Sequence, residues 1–140
     1  MASILKVDDL RGNTAAGNIT ITSEGGSATM QLQQGVAKAW LDHTQITTTA
    51  VRDSFNISSI TDAGTGRTYP ISFTNNMSNN DYAGSFYTAS TTLEAYSSFN
   101  NAYAGGLGSK ATSDFGHAAY STSDYVDSVR NDDIIHGDLA

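Results

Sequence analysis

Three histidines, His43, His117 and His136, are the side chains of this sequence best suited to proton transfer or metal binding. They lie far apart in the sequence, but Asp132 and His136 are four positions apart and would share one face of a strand, with Asp133 nearby. Such a face could bind a metal ion, or it could be the ordinary polar end of a strand. The ordinary strand end is the more common case, so we expect no metal site.

The sequence contains many Ser and Asp residues beside these histidines, so composition alone leaves a Ser-His-Asp triad open. It has no Gly-x-Ser-x-Gly nucleophile motif. The glycines at 64 and 66 lack the third glycine of a dinucleotide loop, and those at 105–108 lack the adjacent Gly-Lys of a phosphate loop. The acid pairs at 8–9 and 132–133 would point to opposite faces of a strand. We therefore predict no catalytic residues and no cofactor.

Aromatic residues are concentrated in the second half of the chain, from Tyr82 to Tyr125, together with Asn and Ser. This mixture suits stacking on sugars, and it suits the core and rim of a subunit interface equally well. Tyr87, Tyr96 and Tyr103 are the candidate ligand-contacting aromatics.

Composition narrows the classes of protein to which the chain can belong. Its 140 residues suggest one domain, or a domain with an arm. Seven Lys and Arg against 14 Asp and Glu give a net charge of −7, and the basic residues are scattered. This pattern argues against nucleic-acid binding and against an anionic membrane surface. The chain has no Cys, and we expect no signal peptide and no membrane insertion, because no long apolar run occurs.

The stretch from Asp53 to Phe73 gives the clearest structural signal. Apolar residues alternate on both sides of the polar, glycine-containing segment 62–66, which predicts an antiparallel hairpin. The alternation slips between Ile57 and Ile60, indicating a bulge. We expect Phe55 and Ile57 to share a buried face with residues 69–73. Pro70 places its strand at an edge or leaves it locally unpaired.

Other short alternating segments extend this pattern without a convincing amphipathic helix. Further strands are predicted at 36–42, 81–88, 91–99, 115–122 and 133–137. Trp40, the single tryptophan, is expected in the core. The predicted fold is all-β, an antiparallel β-sandwich or flattened barrel of about seven strands.

Residues 1–34 differ from the rest because their apolar residues are sparse and separated by glycine-rich segments. We predict an extended N-terminal docking arm over 1–34 and a β-sandwich head domain over 35–140. Ordering such an arm needs a partner surface, either another chain or the head. The partner-docking residues of the arm are predicted to be Ile4, Leu5, Val7, Leu10, Ile19 and Ile21.

Three patches carry a resemblance to a known family: residues 4–13, residues 32–40 continuing into 52–66, and the ending at 135–140. Together they resemble small structural proteins of marine tailed bacteriophages, such as cyanophages and pelagiphages. The resemblance spans nearly the whole chain, and the middle patch is its most specific part. Members are described as tail-fibre-like or virion structural proteins, and no catalytic residues accompany the family.

The resemblance implies a non-enzymatic virion component that is synthesised in the host cytoplasm. We expect a fibre-like or spike-like protein that self-associates as a homotrimer. Its arm would anchor it to tail, neck or capsid proteins. The head would serve attachment, with a host surface glycan as a candidate ligand. Two alternatives remain open: a capsid decoration or cement protein, and a glycan-degrading enzyme with a site shared between subunits.

Overall fold

The computed structural model describes residues 4–15, 19–23, 25–89, 96–99, 110–120 and 124–140, with only the backbone for 96–99. These residues form ten strands and one four-residue helix. All strand pairs are antiparallel, which confirms the predicted all-β class. None of the helical structure in these ranges is long enough to span a membrane. The chain divides into two compact units, Met1–Val36 and Ala37–Ala140.

The first unit is small and has little buried surface. It contains β1 (Thr20–Thr22) and β2 (Thr29–Gln31), paired as a two-stranded sheet, followed by α1 (Leu32–Gly35). The strand β2 thus leads directly into the single helical turn.

The second unit is a sandwich of two four-stranded sheets. The elements are β3 (Ala39–Thr44), β4 (Ala50–Phe55), β5 (Ile57–Asp62), β6 (Arg67–Phe73), β7 (Ala83–Ala89), β8 (Tyr96–Phe99), β9 (Asp114–Tyr120) and β10 (Arg130–His136). The first sheet has the order β4-β3-β10-β7, and the second has the order β5-β6-β9-β8. A shared apolar core lies between them, formed by Ala39, Leu41, Ile71, Phe73, Met77, Tyr82, Phe115 and Ile135.

The predicted hairpin is confirmed as β5 and β6. Ile57 pairs with Phe73 and Asp62 with Thr68, with a register shift after Ile57 where the alternation slips. β6 is a central strand, and its register with β9 shifts between Thr68 and Ile71. The segment around Pro70 is therefore locally unpaired within a central strand.

Two residues expected in the core lie on the outside. Trp40 is only half-buried, because inward positions of β3 alternate with outward ones and Trp40 occupies an outward position. Phe55 is 52% exposed. Asn56, with φ of 58°, separates β4 from β5, and the two strands belong to different sheets. Phe55 therefore cannot share the face that Ile57 presents to β6.

Candidate functional site

A cluster of buried polar side chains lies beside the apolar core in the Ala37–Ala140 unit. Strand alternation explains its position: β3 turns Ala39, Leu41 and then His43 inward, and β10 turns Asn131 and Asp133 inward before Ile135. Each member is less than 9% exposed. The cluster consists of His43, Gln45, Thr68, Thr88, His117, Ser128, Asn131 and Asp133.

One carboxylate lies between the two imidazoles of this buried cluster. Asp133 Oδ1 is 2.5 Å from His117 Nδ1, and Asp133 Oδ2 is 3.7 Å from His43 Nδ1. The two rings meet edge to face with their centroids 5.2 Å apart. Only the His117 contact is short enough for a hydrogen bond. The carboxylate therefore holds His117 directly, while its other oxygen faces His43 without a hydrogen bond.

Burial sets the protonation of two members of the cluster. It lowers the pKa of His43 from 6.5 to about 3, with further lowering from His117 and Arg52. It also raises the pKa of Asp133, against the opposing effect of His117. Desolvation disfavours the charged form of either group. His43 is consequently a neutral imidazole at neutral pH.

Each histidine also contacts a threonine hydroxyl through its other nitrogen. Thr68 Oγ1 lies 3.2 Å from His43 Nε2, and Thr88 Oγ1 lies 3.1 Å from His117 Nε2. A hydroxyl, an imidazole and a carboxylate in series can produce an activated oxygen nucleophile. Thr68 is 0% exposed and Thr88 is 8% exposed. Chemistry at these hydroxyls is therefore directed at groups already inside the sandwich.

The rest of the cluster is a chain of amides and hydroxyls. Gln45 Nε2 donates to Thr68 Oγ1 at 3.1 Å, and Gln45 Oε1 lies 2.8 Å from Ser128 Oγ. Ser128 Oγ is also 2.6 Å from Asn131 Oδ1. A hydroxyl has one proton, so Ser128 can donate to only one of these oxygens at a time.

The cluster carries an energetic cost. Asn131 Nδ2, His43 Nδ1 and Asp133 Oδ2 are buried without a hydrogen-bond partner among the described residues. Each such atom costs about 1–3 kcal/mol relative to a solvated one. Stability alone does not account for this arrangement, which makes the cluster a candidate site for chemistry.

A second candidate site is the outer face of the β4-β3-β10-β7 sheet. Strand register places Phe55, Trp40 and Ile134 in one row across the face. The next row contains Asp53, Asp42, Asp132 and Tyr87. The face thus combines apolar and acidic side chains.

A shallow pocket of about 420 Å³ lies on this outer face and includes Trp40, Asp53 and Ile134 in its lining. Arg130 bridges two of the carboxylates, with Nη2 3.4 Å from Asp42 and Nε 3.1 Å from Asp132. Because Arg130 pairs with these two carboxylates, the apolar side chains beside them are the surface that remains available to a ligand. Such a face suits binding of an amphipathic ligand.

The predicted arm residues are mostly exposed. Ile4 and Leu5 are each 77% exposed, and Val7, Leu10 and Ile21 are between 42% and 54% exposed. Ile19 is half-buried, and its carbonyl accepts a hydrogen bond from the amide of Leu32. The structure thus leaves most of this apolar surface uncovered.

The candidate aromatics are only partly described. Tyr87 is 57% exposed on the outer face, opposite Asp132. The side chain of Tyr96 and all of Tyr103 lie outside the described residues. Asp132 and His136 occupy the outward side of β10, as the spacing predicted. Within the described ranges, no group of three His, Cys, Asp or Glu side chains is arranged to hold a metal ion.

Sequence reasoning missed the buried cluster, although part of its signal was available. The alternation that turns Ala39 and Leu41 inward also turns His43 inward.

Comparison with known proteins adds no identification: no family model, curated protein or solved structure matches the chain.

Proposed function

We propose that this protein is a non-enzymatic structural component of a tailed-phage virion, fibre-like or spike-like, that works by attachment and assembly. In this proposal the N-terminal unit anchors the protein to other virion proteins and supports self-association as a homotrimer. The β-sandwich is the presented domain.

The observation that carries the proposal is the exposure of apolar side chains in the Met1–Val36 unit. Ile4 and Leu5 are 77% exposed, and Val7 is 54% exposed. Burying an aliphatic side chain of this size stabilises an interface by about 1.5–3 kcal/mol. Three or four of them would supply the apolar centre of an interface, which favours an anchoring role.

The outer face of the first sheet supports the attachment role of the sandwich. Trp40, Phe55 and Tyr87 offer ring surfaces, while Asp53 offers carboxylate oxygens beside them. Rings can stack on the apolar faces of sugars, and carboxylates can accept hydrogen bonds from sugar hydroxyls. A host surface glycan is therefore the proposed ligand of this face.

The anchoring role is tested by light scattering and by particle incorporation. We expect the Leu5→Ser, Val7→Ser double variant to dissociate at concentrations where the wild type self-associates, and to be incorporated poorly into particles. Lys6→Ser is the matched control, since it changes an exposed residue between the two without removing apolar surface. Equal self-association and incorporation of both variants would refute the anchoring role.

Attachment is tested separately from anchoring. Trp40→Ala and Tyr87→Ala particles should adsorb more weakly to host cells, while Asn79→Ala particles should adsorb normally. Unchanged adsorption, with capsids that burst more easily when the protein is removed, would instead establish a cement protein. Turnover of host polysaccharide by the purified protein would establish an enzyme.

A further inference from the structure

Three buried groups in the polar cluster have the arrangement needed for an acyl transfer within the chain. Thr68 Oγ1 contacts the carboxamide of Gln45 at 3.1 Å and the Nε2 of His43 at 3.2 Å. Thr68 and His43 are 0% exposed, and Gln45 is 4% exposed. A nucleophile, a base and an acyl group are thus held together where bulk water is excluded.

We propose that Thr68 and Gln45 form an intramolecular ester with release of ammonia. His43 Nε2 takes the hydroxyl proton while Thr68 Oγ1 forms a bond to Cδ of Gln45. The tetrahedral intermediate collapses by breaking the Cδ–Nε2 bond, and His43 returns the proton to the leaving nitrogen. A hydroxyl and a primary amide become an ester and ammonia, so the reaction needs no oxidant, cofactor or second substrate.

Ser128 is placed to stabilise the intermediate. Its Oγ lies 2.8 Å from Gln45 Oε1, the oxygen on which negative charge develops. The hydroxyl is free to donate there when the Asn131 amide turns its nitrogen toward Ser128, because the two ends of an amide have nearly the same shape. That orientation gives the amide nitrogen the Ser128 and Thr88 hydroxyls as acceptors and moves the unpartnered position to the amide oxygen.

The distance to be closed is small. Cδ of Gln45 is one bond of about 1.3 Å from Nε2 and therefore within about 4.4 Å of Thr68 Oγ1. A near-attack separation is about 3–3.5 Å, which rotation about the Cβ–Cγ bond of Gln45 or a small shift of Thr68 can supply. Groups held in this way react with effective molarities of about 10⁵–10⁸ M, which compensates for the poor reactivity of an amide.

The electrostatics of the cluster affect the proposed base in two ways. Burial keeps His43 neutral at neutral pH, so its Nε2 lone pair is open to the Thr68 proton, and the same burial makes the protonated ring a short-lived carrier between Thr68 and the leaving nitrogen. The Asp133 carboxyl, 3.7 Å from His43 Nδ1, favours the tautomer that carries its proton on Nδ1 and leaves Nε2 free for Thr68. Asp133 is thus a positioning residue for the proposed base.

The ester would join the two layers of the sandwich. Thr68 belongs to β6 in the second sheet, and Gln45 directly follows β3 in the first. The second hydroxyl, Thr88, instead faces Asn131, its register partner on the adjacent strand of the same sheet. Only the Thr68–Gln45 bond links the sheets, and exclusion of water protects it from hydrolysis.

Intact-mass spectrometry of the purified full-length chain tests the proposal. We expect the wild type to lose about 17 Da, the mass of ammonia, during incubation at neutral pH. Thr68→Ala and His43→Gln should keep the full sequence mass, whereas Thr68→Ser should lose ammonia as the wild type does. Thr61→Val, which changes an exposed hydroxyl of β5, is the matched control and should also lose ammonia. Asp133→Asn should lose it more slowly at an equal folded fraction, which circular dichroism measures.

Tandem mass spectrometry then locates the bond. Trypsin should leave the peptide Ala39–Arg52 joined to Thr68–Lys110, and mild alkali should separate them. A wild type that keeps its full mass overturns the proposal, whether or not the variants fold. A loss of ammonia located at another residue, including Thr88 with Asn131, overturns it as well. Neither result depends on virion assembly, so the proposed function is tested independently.

Discussion

Replacement of Phe73 by Ala measures how much of the sandwich depends on its central aromatic cluster. Phe73 is 5% exposed and packs against Tyr82 and Phe115, with ring centroids 5.8 and 5.4 Å away. Truncating a buried Phe costs about 3–5 kcal/mol through lost burial and the remaining cavity. Two aromatic contacts, each worth about 0.5–1.5 kcal/mol, place the expected loss in the upper part of that range.

Phe55→Ala is the matched control for this experiment. It removes the same side chain from a position that is 52% exposed, so we expect a loss below about 1 kcal/mol. Urea unfolding followed by circular dichroism measures both variants. In thermal unfolding, the midpoint of Phe73→Ala should fall by about 16–20 °C, at about 4 °C for each of roughly 4–5 kcal/mol in a unit of this size. Equal losses for the two variants would refute the assignment of the core.

Three further perturbations have distinct expected outcomes. The folded pKa of His43, about 3, lies below its ordinary 6.5, so the unfolded chain takes up this proton first and stability falls as the pH drops below about 6.5. The raised pKa of Asp133 has the opposite effect on stability, so the wild type is compared with His43→Gln, which keeps Asp133. Between about pH 7 and pH 5, the urea midpoint of His43→Gln should fall less than that of the wild type. An equal fall in the two proteins would contradict the assigned protonation of His43. Gly66→Ala should cost about 3 kcal/mol or more in unfolding free energy, because φ is 65° and a Cβ would lie 2.6 Å from backbone atoms. Gly64→Ala has a strained φ of 104°, but its Cβ would meet only the end of the Arg67 side chain, so it should cost about 1–3 kcal/mol and less than Gly66→Ala. The reverse order would count against this turn geometry. Asn56→Ala should cost about 2–3 kcal/mol in the same assay, because the side chain donates to the carbonyls of Lys38 and Asn75 and the residue has a positive φ. An unchanged free energy of unfolding would show that neither the hydrogen bonds nor the backbone angle contributes to stability.

Local patterns predicted the elements of this fold better than their arrangement. The hairpin of β5 and β6 follows from alternation and two glycines, which are properties of neighbouring residues. The mistake at Phe55 arose where the chain passes from one sheet to the other, whereas Trp40 occupies an outward position in the alternation of β3. At Asn56, a single residue with positive φ, the chain turns from β4 to β5, and the side chains after it face neighbours in the other sheet. An alternating pattern of apolar residues does not predict such a turn.

The buried cluster shows a similar division between local and long-range information. The inward direction of His43 could be predicted from the alternation of β3. Its contact with Thr68 could not, because the two residues lie in different sheets and 25 positions apart. Polar residues at inward positions give no signal of their partners until the sheets are placed face to face.

The central position of β10 affects how the sandwich can form during synthesis. β10 follows the other nine strands in the chain, yet it lies between β3 and β7 and supplies the only ladder joining them among the described strands. A nascent chain that has not yet extended to Arg130 therefore lacks the strand that unites its first sheet. The hairpins β3–β4 and β5–β6 can form on the ribosome, but each leaves an open edge or an uncovered apolar face until β10 arrives. The translating chain therefore exposes open edges of its first sheet to pairing with its neighbours until Arg130–His136 has been made.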